Sequence, residues 1–326
     1  MKKQSGLRGV NLGGWLVLEK WMTPQVFDGF NARNEWELTQ SKRGRDSIKK
    51  HQKMFIYESD FKWLRDNEVE LIRIPFGYWV FGDEPPYVKC VDRLDWAVKM
   101  AKKYNLRVLL DMHAAVGAQN RADHSGSGSS SITISWLGNR DNQNKTISVL
   151  ERIADRYKNE PHIWGIQLLN EPDSDKYGFR LISFYRRAYR RVIKKARPGT
   201  RIVFSDAFMP WLLTGALWKR SHYPVIMDVH IYFCFGVRKH LHYKQQIARL
   251  NKWRLRLRFF SFFQPVMIGE WSGVLHKEGF EKQHEFAKIQ QNMFDKLGYT
   301  HCYWSYKTSS TSGWNYRKLV EKGFND

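Results

Sequence analysis

Two glutamates stand out by their settings: Glu171 follows Leu168-Leu169-Asn170 and precedes Pro172, and Glu270 lies between Gly269 and Trp271. Each closes an apolar, β-prone run. Two carboxyl groups brought together can divide a reaction between them. One protonates a departing oxygen while the other attacks the carbon or activates a water against it, which is the chemistry of glycoside hydrolysis. A lone glutamate at a strand end more often forms a salt bridge or supports a helix N-terminus. The presence of two shifts the balance toward catalysis.

Other residues in similar positions fit around this pair. Arg73 sits within Leu71-Ile72-Arg73-Ile74-Pro75, where an unpaired charge would be costly, so it requires a carboxylate partner, and Glu270 is the candidate. An adjacent guanidinium keeps a carboxylate ionised, as a nucleophile requires; an acid needs its pKa raised by burial or by a nearby negative charge. His113 and His230 also close β-prone runs. Neither has metal-ligand spacing and no cysteine lies beside them, so hydrogen bonding explains them better than a metal, and no metal or organic cofactor is expected. Tyr232 can donate to a carboxylate, Asn170 can bind a sugar hydroxyl, and Trp304 can stack on a pyranose ring, although an aromatic in a strand is by itself ordinary core. The sequence lacks a GxSxG elbow, a GxGxxG turn and a Cys/His cluster, which argues against serine hydrolase, dinucleotide and zinc chemistry.

Positioning these residues requires a scaffold. Eight β-rich runs recur along the chain, at Gly6–Leu12, Val69–Phe76, Leu106–Met112, Ile163–Leu169, Arg201–Ser205, Val225–His230, Pro265–Gly269 and Tyr299–Tyr306. Amphipathic helical patterns lie between most of them, most clearly at Val91–Tyr104, Ile147–Lys158, Phe179–Ala196 and Phe280–Leu297. This alternation predicts an α/β fold, a single (β/α)8 TIM barrel spanning residues 1–326 as one domain. In such a barrel the active site gathers at the C-terminal ends of the strands. Strands four and seven lie on opposite sides of the ring, so Glu171 and Glu270 can face each other across its mouth. The Gly/Ser stretch Ser125–Ser131 reads as a mobile loop beyond strand three.

The residues taken together resemble glycoside hydrolase family 5, and more narrowly its exo-β-1,3-glucanase branch. The resemblance opens at Gly9-Val10-Asn11-Leu12-Gly13-Gly14-Trp15, continues through Ile72-Arg73-Ile74-Pro75-Phe76-Gly77-Tyr78-Trp79, ends at Tyr303-Trp304-Ser305-Tyr306-Lys307-Thr308, and covers residues 6 to about 316. It implies a retaining mechanism with Glu171 as acid/base and Glu270 as nucleophile. It further implies that Arg73 and Tyr232 hold the nucleophile, that Asn170 binds the sugar 2-hydroxyl, and that His230 supports the acid/base. His113 and Trp304 would line the subsite of the non-reducing sugar. Glu19 matches the family's exo-specific carboxylate, and Asn120 the Gln-Asn of the loop after strand three. The expected substrate is a β-glucan or β-glucoside, with β-1,3-glucan, β-1,6-linked glucan and aryl β-glucosides all open. Departures from the family pattern fall at Val116, Arg121, Val229 and Tyr306. A catalytically silent carbohydrate- or nucleic-acid-binding barrel is the alternative of another class, and the intact carboxylate pair argues against silence.

With 54 Lys+Arg against 32 Asp+Glu, the 326-residue chain carries a net charge of +22. Most basic residues read as solvated helix faces, and no specific nucleic acid is expected as partner because no recognition module is present. Lys244–Phe263, which interleaves arginines with Trp253, Leu255, Leu257 and Phe259, fits either an anionic surface or a segment packed on the barrel rim. Cys90, Cys234 and Cys302 suggest neither a disulfide framework nor a zinc site, and read as reduced core thiols. No apolar run approaches the ~18 residues of a membrane span. The start of the chain carries no export signal, so the expectation is a cytoplasmic monomer, or a secreted or cell-surface one if the chain is a trimmed mature form.

Overall fold

All eight expected runs form strands in the computed structural model, which describes residues 6–125, 135–217, 222–309 and 312–325. They are β1 (Arg8–Asn11), β2 (Leu71–Gly77), β3 (Arg107–Ala114), β4 (Ile163–Gln167), β5 (Arg201–Ser205), β6 (Val225–Ile231), β7 (Val266–Trp271) and β8 (His301–Tyr303). Each pairs in parallel with the next, and β1 also pairs with β8, closing the sheet into a barrel. Three helices follow β1: α1 (Glu35–Thr39), α2 (Lys42–Met54) and α3 (Glu58–Asp66). Thereafter α4 (Val91–Lys103), α5 (Arg140–Arg156), α6 (Phe179–Val192), α7 (Pro210–Leu213), α8 (Tyr243–Phe263), α9 (Phe280–Leu297) and α10 (Tyr316–Val320) follow β2 to β8 in turn. This is the expected (β/α)8 fold. Apart from Ser125, the predicted Gly/Ser loop lies outside the described residues.

Successive side chains of a strand point to opposite faces, which creates two separate cores. Outward residues such as Ile72, Leu110, Ile166, Val229 and Ile268 meet Leu94, Leu150, Leu181 and Phe184 from the helices. Inward residues Leu71, Leu109, Val203, Ile226, Met267 and Cys302 fill the lower barrel as a smaller apolar plug. Two residues further along β2, β3 and β6, the same inward face carries Arg73, Asp111 and Asp228, all fully buried. The interior thus changes from apolar to charged within one strand period, immediately beneath the barrel mouth.

Boundaries depart from the sequence expectation where polar chemistry sets them. Helix α5 starts before Ile147 because Asn139 accepts hydrogen bonds from the amides of Asp141 and Asn142, a cap that hydrophobic periodicity does not register. Helix α6 stops at Val192, and Lys194 and Lys195 continue only through tighter i to i−3 bonds toward Pro198. Helix α9 ends as expected at Gly298, whose φ of +74° favours glycine. Lys244–Phe263 proves to be mainly α8, the barrel's own helix between β6 and β7, rather than an insertion on the rim. Its Leu250, Leu257 and Phe260 are buried, whereas Leu255, Phe259, Phe262 and Phe263 face outward. All three cysteines are buried and unpaired. Among the described residues, no helix is long and apolar enough to cross a membrane.

Candidate active site

The charged layer is organised around Arg73, whose five N–H donors meet five oxygen acceptors. Nε donates to Gln167 Oε1 at 2.9 Å, Nη1 to Asn11 Oδ1 at 2.8 Å and Glu270 Oε1 at 2.9 Å, and Nη2 to Asn170 Oδ1 at 2.7 Å. Nη2 also pairs with Asp111 Oδ2 at 3.1 Å. Burial is the largest influence on this guanidinium and disfavours its charge, but Asp111, Glu270 and Asp228 more than offset it, and its pKa is raised. The carboxylate partner that the sequence demanded is therefore present, with Asp111 as a second.

Glu270 lies on β7 beside a local irregularity: Val229 pairs with Ile268 and His230 with Glu270, leaving Gly269 as an extra residue. The Gly269 amide donates to Asp228 Oδ1 at 2.5 Å, and its carbonyl accepts from Asn11 Nδ2 at 2.9 Å. A Cβ here would lie 2.1 Å from Asp228 Oδ2, so the close approach requires glycine. The bulge turns Glu270 toward the mouth, where Oε2 accepts from the Tyr232 hydroxyl at 2.8 Å.

Glu171 follows β4 on a segment still held between its neighbours, the Leu168 amide donating to the Val203 carbonyl and the Asn170 amide to the Met112 carbonyl. Glu171 itself has φ +39°, a conformation that costs a non-glycine residue about 1–3 kcal/mol and is held by its surroundings. Asn120 Nδ2 donates to the Glu171 carbonyl at 2.7 Å, while Asn120 Oδ1 accepts from the Ala122 amide at 3.0 Å. Asn120 thus braces the backbone of Glu171. Asn170 points its Oδ1 at Arg73 and leaves Nδ2 buried without a partner.

His230 lies between the two carboxyl groups. Nδ1 is 2.5 Å from Glu171 Oε1 and 3.4 Å from Glu270 Oε2, and Nε2 is 3.2 Å from Asp228 Oδ2. Burial is the largest influence and favours the neutral ring, but Glu270, Asp228 and Glu171 surround it and hold its pKa well above the usual range. Burial is also the largest influence on both glutamates, pushing each up. For Glu171 the charge and hydrogen bond of His230 prevail and carry the carboxyl down to about 2. For Glu270, burial and the Glu171 charge outweigh His230, Arg73 and Tyr232, leaving it up at about 7. Between these values the pair holds one proton, and the two steps belong to the pair rather than to either residue.

Six of the ten predicted residues line a cleft of about 750 Å³: Glu19, Glu171, His230, Tyr232, Glu270 and Trp304. Glu19, in the loop after β1, accepts from Trp21 Nε1 at 2.9 Å, and burial pushes its carboxyl up to about 8. The Trp304 ring lies parallel to His113, with centroids 5.4 Å apart. His113 Nδ1 contacts Asp111 Oδ2 at 2.6 Å; burial holds the ring neutral, so Nδ1 donates and the unpartnered Nε2 is an acceptor. Arg73, Asn120 and Asn170 stand behind this lining.

Sequence reasoning missed several residues. Asp111 and Asp228 lie two positions before His113 and His230 on the same inward strand faces, a signal that the period of two carried. His124, 3.7 Å from Glu171 Oε2, and the cleft walls Trp21, Phe208, Phe235, Trp253 and Trp314 come mostly from loops and had no such signal. Two triplets, Glu19/His113/His124 and Glu171/His230/Glu270, bring potential ligand atoms within 4.8 Å of one another. Of the departures from the family pattern, Val229 is buried in the outer core and the Tyr306 hydroxyl donates to Asp60 Oδ1 at 2.8 Å, away from the cleft. Arg121 reaches a neighbouring cleft with Pro172 and Asp173, so it does bear on the rim.

The fold and site together define a (β/α)8 barrel with two neighbouring carboxyl groups, Glu171 and Glu270, at its mouth. Residues 31–310 match the family model for cellulase (glycosyl hydrolase family 5). The probable glucan 1,3-beta-glucosidase A of Aspergillus niger is 33% identical over 293 residues, covering 84% of this chain and 66% of its own length. The glucan 1,3-beta-glucosidase of Schwanniomyces occidentalis is 35% identical over 254 residues, covering 71% of this chain and 57% of its own. The chain therefore spans less than two-thirds of either relative's length. Among solved structures, the rutinosidase from Aspergillus niger has a TM-score of 0.85 at 18% identity, covering 99% of each chain, a likeness of fold. The chain belongs to glycosyl hydrolase family 5.

Proposed function

We propose that this chain is a retaining β-glycoside hydrolase that releases glucose from the non-reducing end of β-1,3-glucan or its oligosaccharides. The observation that carries this reading is the proximity of the pair: a carboxylate oxygen of Glu171 and one of Glu270 lie within 4.8 Å of each other. An inverting enzyme separates its carboxyl groups by roughly 6.5–9.5 Å to admit a water, whereas a retaining pair stands about 5–5.5 Å apart.

Glu270, aligned by Arg73 and Tyr232, attacks the anomeric carbon while Glu171 protonates the departing oxygen. The C–O bond to the leaving group breaks as the bond to Glu270 forms. Water then attacks the glycosyl-enzyme, with Glu171 taking its proton and Glu270 leaving. The first step needs the pair's proton on Glu171, and His230 Nδ1, within 3.4 Å of both carboxylates, provides a route to it from Glu270. Asn170 Nδ2 and His113 Nε2, a donor and an acceptor without internal partners, suit sugar hydroxyls. Glu19, protonated at neutral pH, suits hydroxyls at the far end of the terminal glucose.

The aromatic walls favour a second reading within the same mechanism. Phe208, Phe235, Trp253 and Trp314 form much of the cleft, and such walls suit the apolar leaving group of an aryl β-glucoside. Hydrolysis of laminari-oligosaccharides, with product anomers followed by proton NMR beside an aryl β-glucoside, tests both. Release of β-glucose from the oligosaccharides supports the first reading. Cleavage of the aryl glucoside alone supports the second, and release of α-glucose overturns the retaining mechanism.

A further inference from the structure

Helix α8 has two apolar sides. The inward side packs Leu250, Leu257 and Phe260 on the barrel, while the opposite stripe, Leu255, Phe259, Phe262 and Phe263, faces outward, with Phe262 84% exposed. Trp211 of α7, 61% exposed, extends that stripe. The ring centroids run in a chain, Trp211 to Phe259 at 5.1 Å, Phe259 to Phe263 at 5.2 Å and Phe263 to Phe262 at 5.2 Å. The patch is therefore continuous. At 100° per residue, Arg256 flanks the stripe on one side and Arg254 and Arg258 on the other, while Lys252 continues its line one turn before Leu255. Among the described residues, no carboxylate stands within ion-pair distance of these four cations, and α8 contains no acidic residue.

We propose that this face of α8 docks on an anionic phospholipid surface, with the aromatic stripe entering the interfacial region and the flanking cations meeting lipid phosphates and carboxylates. An apolar stripe bordered on both sides by cations is the arrangement of a helix lying in the membrane interface. Charge complementarity selects this occupant. A second copy of a chain with net charge +22 would bring like charges together, and a purely hydrophilic polyanion offers nothing to cover five apolar side chains. The same helix contributes Arg249 and Trp253 to the cleft wall from its other face. The proposal concerns a surface outside the catalytic cleft and stands independently of the glycosidase reading.

Partitioning of the full chain onto sucrose-loaded vesicles tests it, comparing phosphatidylcholine alone with phosphatidylcholine containing roughly a third phosphatidylserine, the anionic lipid type that attracts basic segments. The expected result is binding to the anionic vesicles, weakened by salt. Each cation near such a leaflet is worth about fivefold in partitioning, so Arg254→Gln with Arg258→Gln should lower it about 25-fold. Phe262→Ser with Phe263→Ser should lower it at least about tenfold. Both variants should keep the parent's rate on a soluble aryl glucoside or, if that assay is silent, its circular dichroism and melting temperature, which separates lost docking from lost folding. Absence of binding to anionic vesicles, equal binding to neutral ones, or self-association abolished by the phenylalanine changes would overturn the proposal.

Discussion

Arg73 Nη1 donates to Glu270 Oε1 at 2.9 Å from a guanidinium with no exposed surface. The contact links the charged layer inside the barrel to the proposed nucleophile. Arg73→Met should cost about 3–5 kcal/mol of stability, because Asp111 and Glu270 are left buried and uncompensated. Chemical denaturation checks the loss. Activity in the folded fraction should fall as well, since the substitution removes the charge that favours the ionised nucleophile.

The two glutamates should fail differently. Glu270→Gln should abolish turnover on all substrates, whereas Glu171→Ala should lose about 10²- to 10⁴-fold. The Glu171 loss should be smallest for leaving groups that depart without protonation. Rates on a series of aryl β-glucosides check this; equal sensitivity to leaving-group acidity in parent and Glu171→Ala would remove Glu171 from the acid role.

In the proposed mechanism the singly protonated pair is the working form, so kcat/KM should form a bell bounded by the pair's two steps. Activity should fall as pH rises through about 7, when the proton leaves, and fall again on acidification toward about 2, when a second proton joins. His230 holds Glu171 down. Removing the imidazolium in His230→Gln should therefore move the acidic limb upward, which a pH–rate profile will show.

Burial raises Glu19 to about 8, so it is neutral at working pH and glutamine is its close mimic. Glu19→Gln should preserve KM for glucosides better than Glu19→Ala. If the two substitutions raise KM alike, Glu19 binds as a charge or not at all.

Gly269→Ala should unfold the site, since its Cβ would lie 2.1 Å from Asp228 Oδ2, on the carboxylate whose Oδ1 already accepts from the Gly269 amide. Thermal melting should fall and hydrolysis disappear together.

Much of this site was legible because barrel topology converts strand ends into neighbours. Glu171 and Glu270 are distant in sequence, but strands four and seven had to face each other once eight were identified. Arg73 announced a partner through the cost of burying its charge. Asp111 and Asp228 were readable by the same period of two, yet were overlooked in favour of the histidines two residues beyond. Asn120 illustrates a different limit: its place after strand three was legible, but its engagement with the Glu171 carbonyl depends on the path of a loop. Phe208, Phe235 and Trp314 also reach the cleft through loop conformations that residue type and spacing do not specify. The outward stripe of α8 was visible as aromatics among arginines, and only packing revealed which aromatics the barrel covers.

The central claim is that Glu270 forms a covalent glycosyl-enzyme, and trapping tests it most directly. A β-glucoside fluorinated beside the anomeric carbon, with a dinitrophenyl leaving group, slows the second step and should accumulate the intermediate. Mass spectrometry of the digested protein should then find the fluoroglucosyl group on the peptide containing Glu270, and none on Glu270→Gln. A label on Glu171, or turnover of the parent substrate to α-glucose with no label at all, would contradict the account.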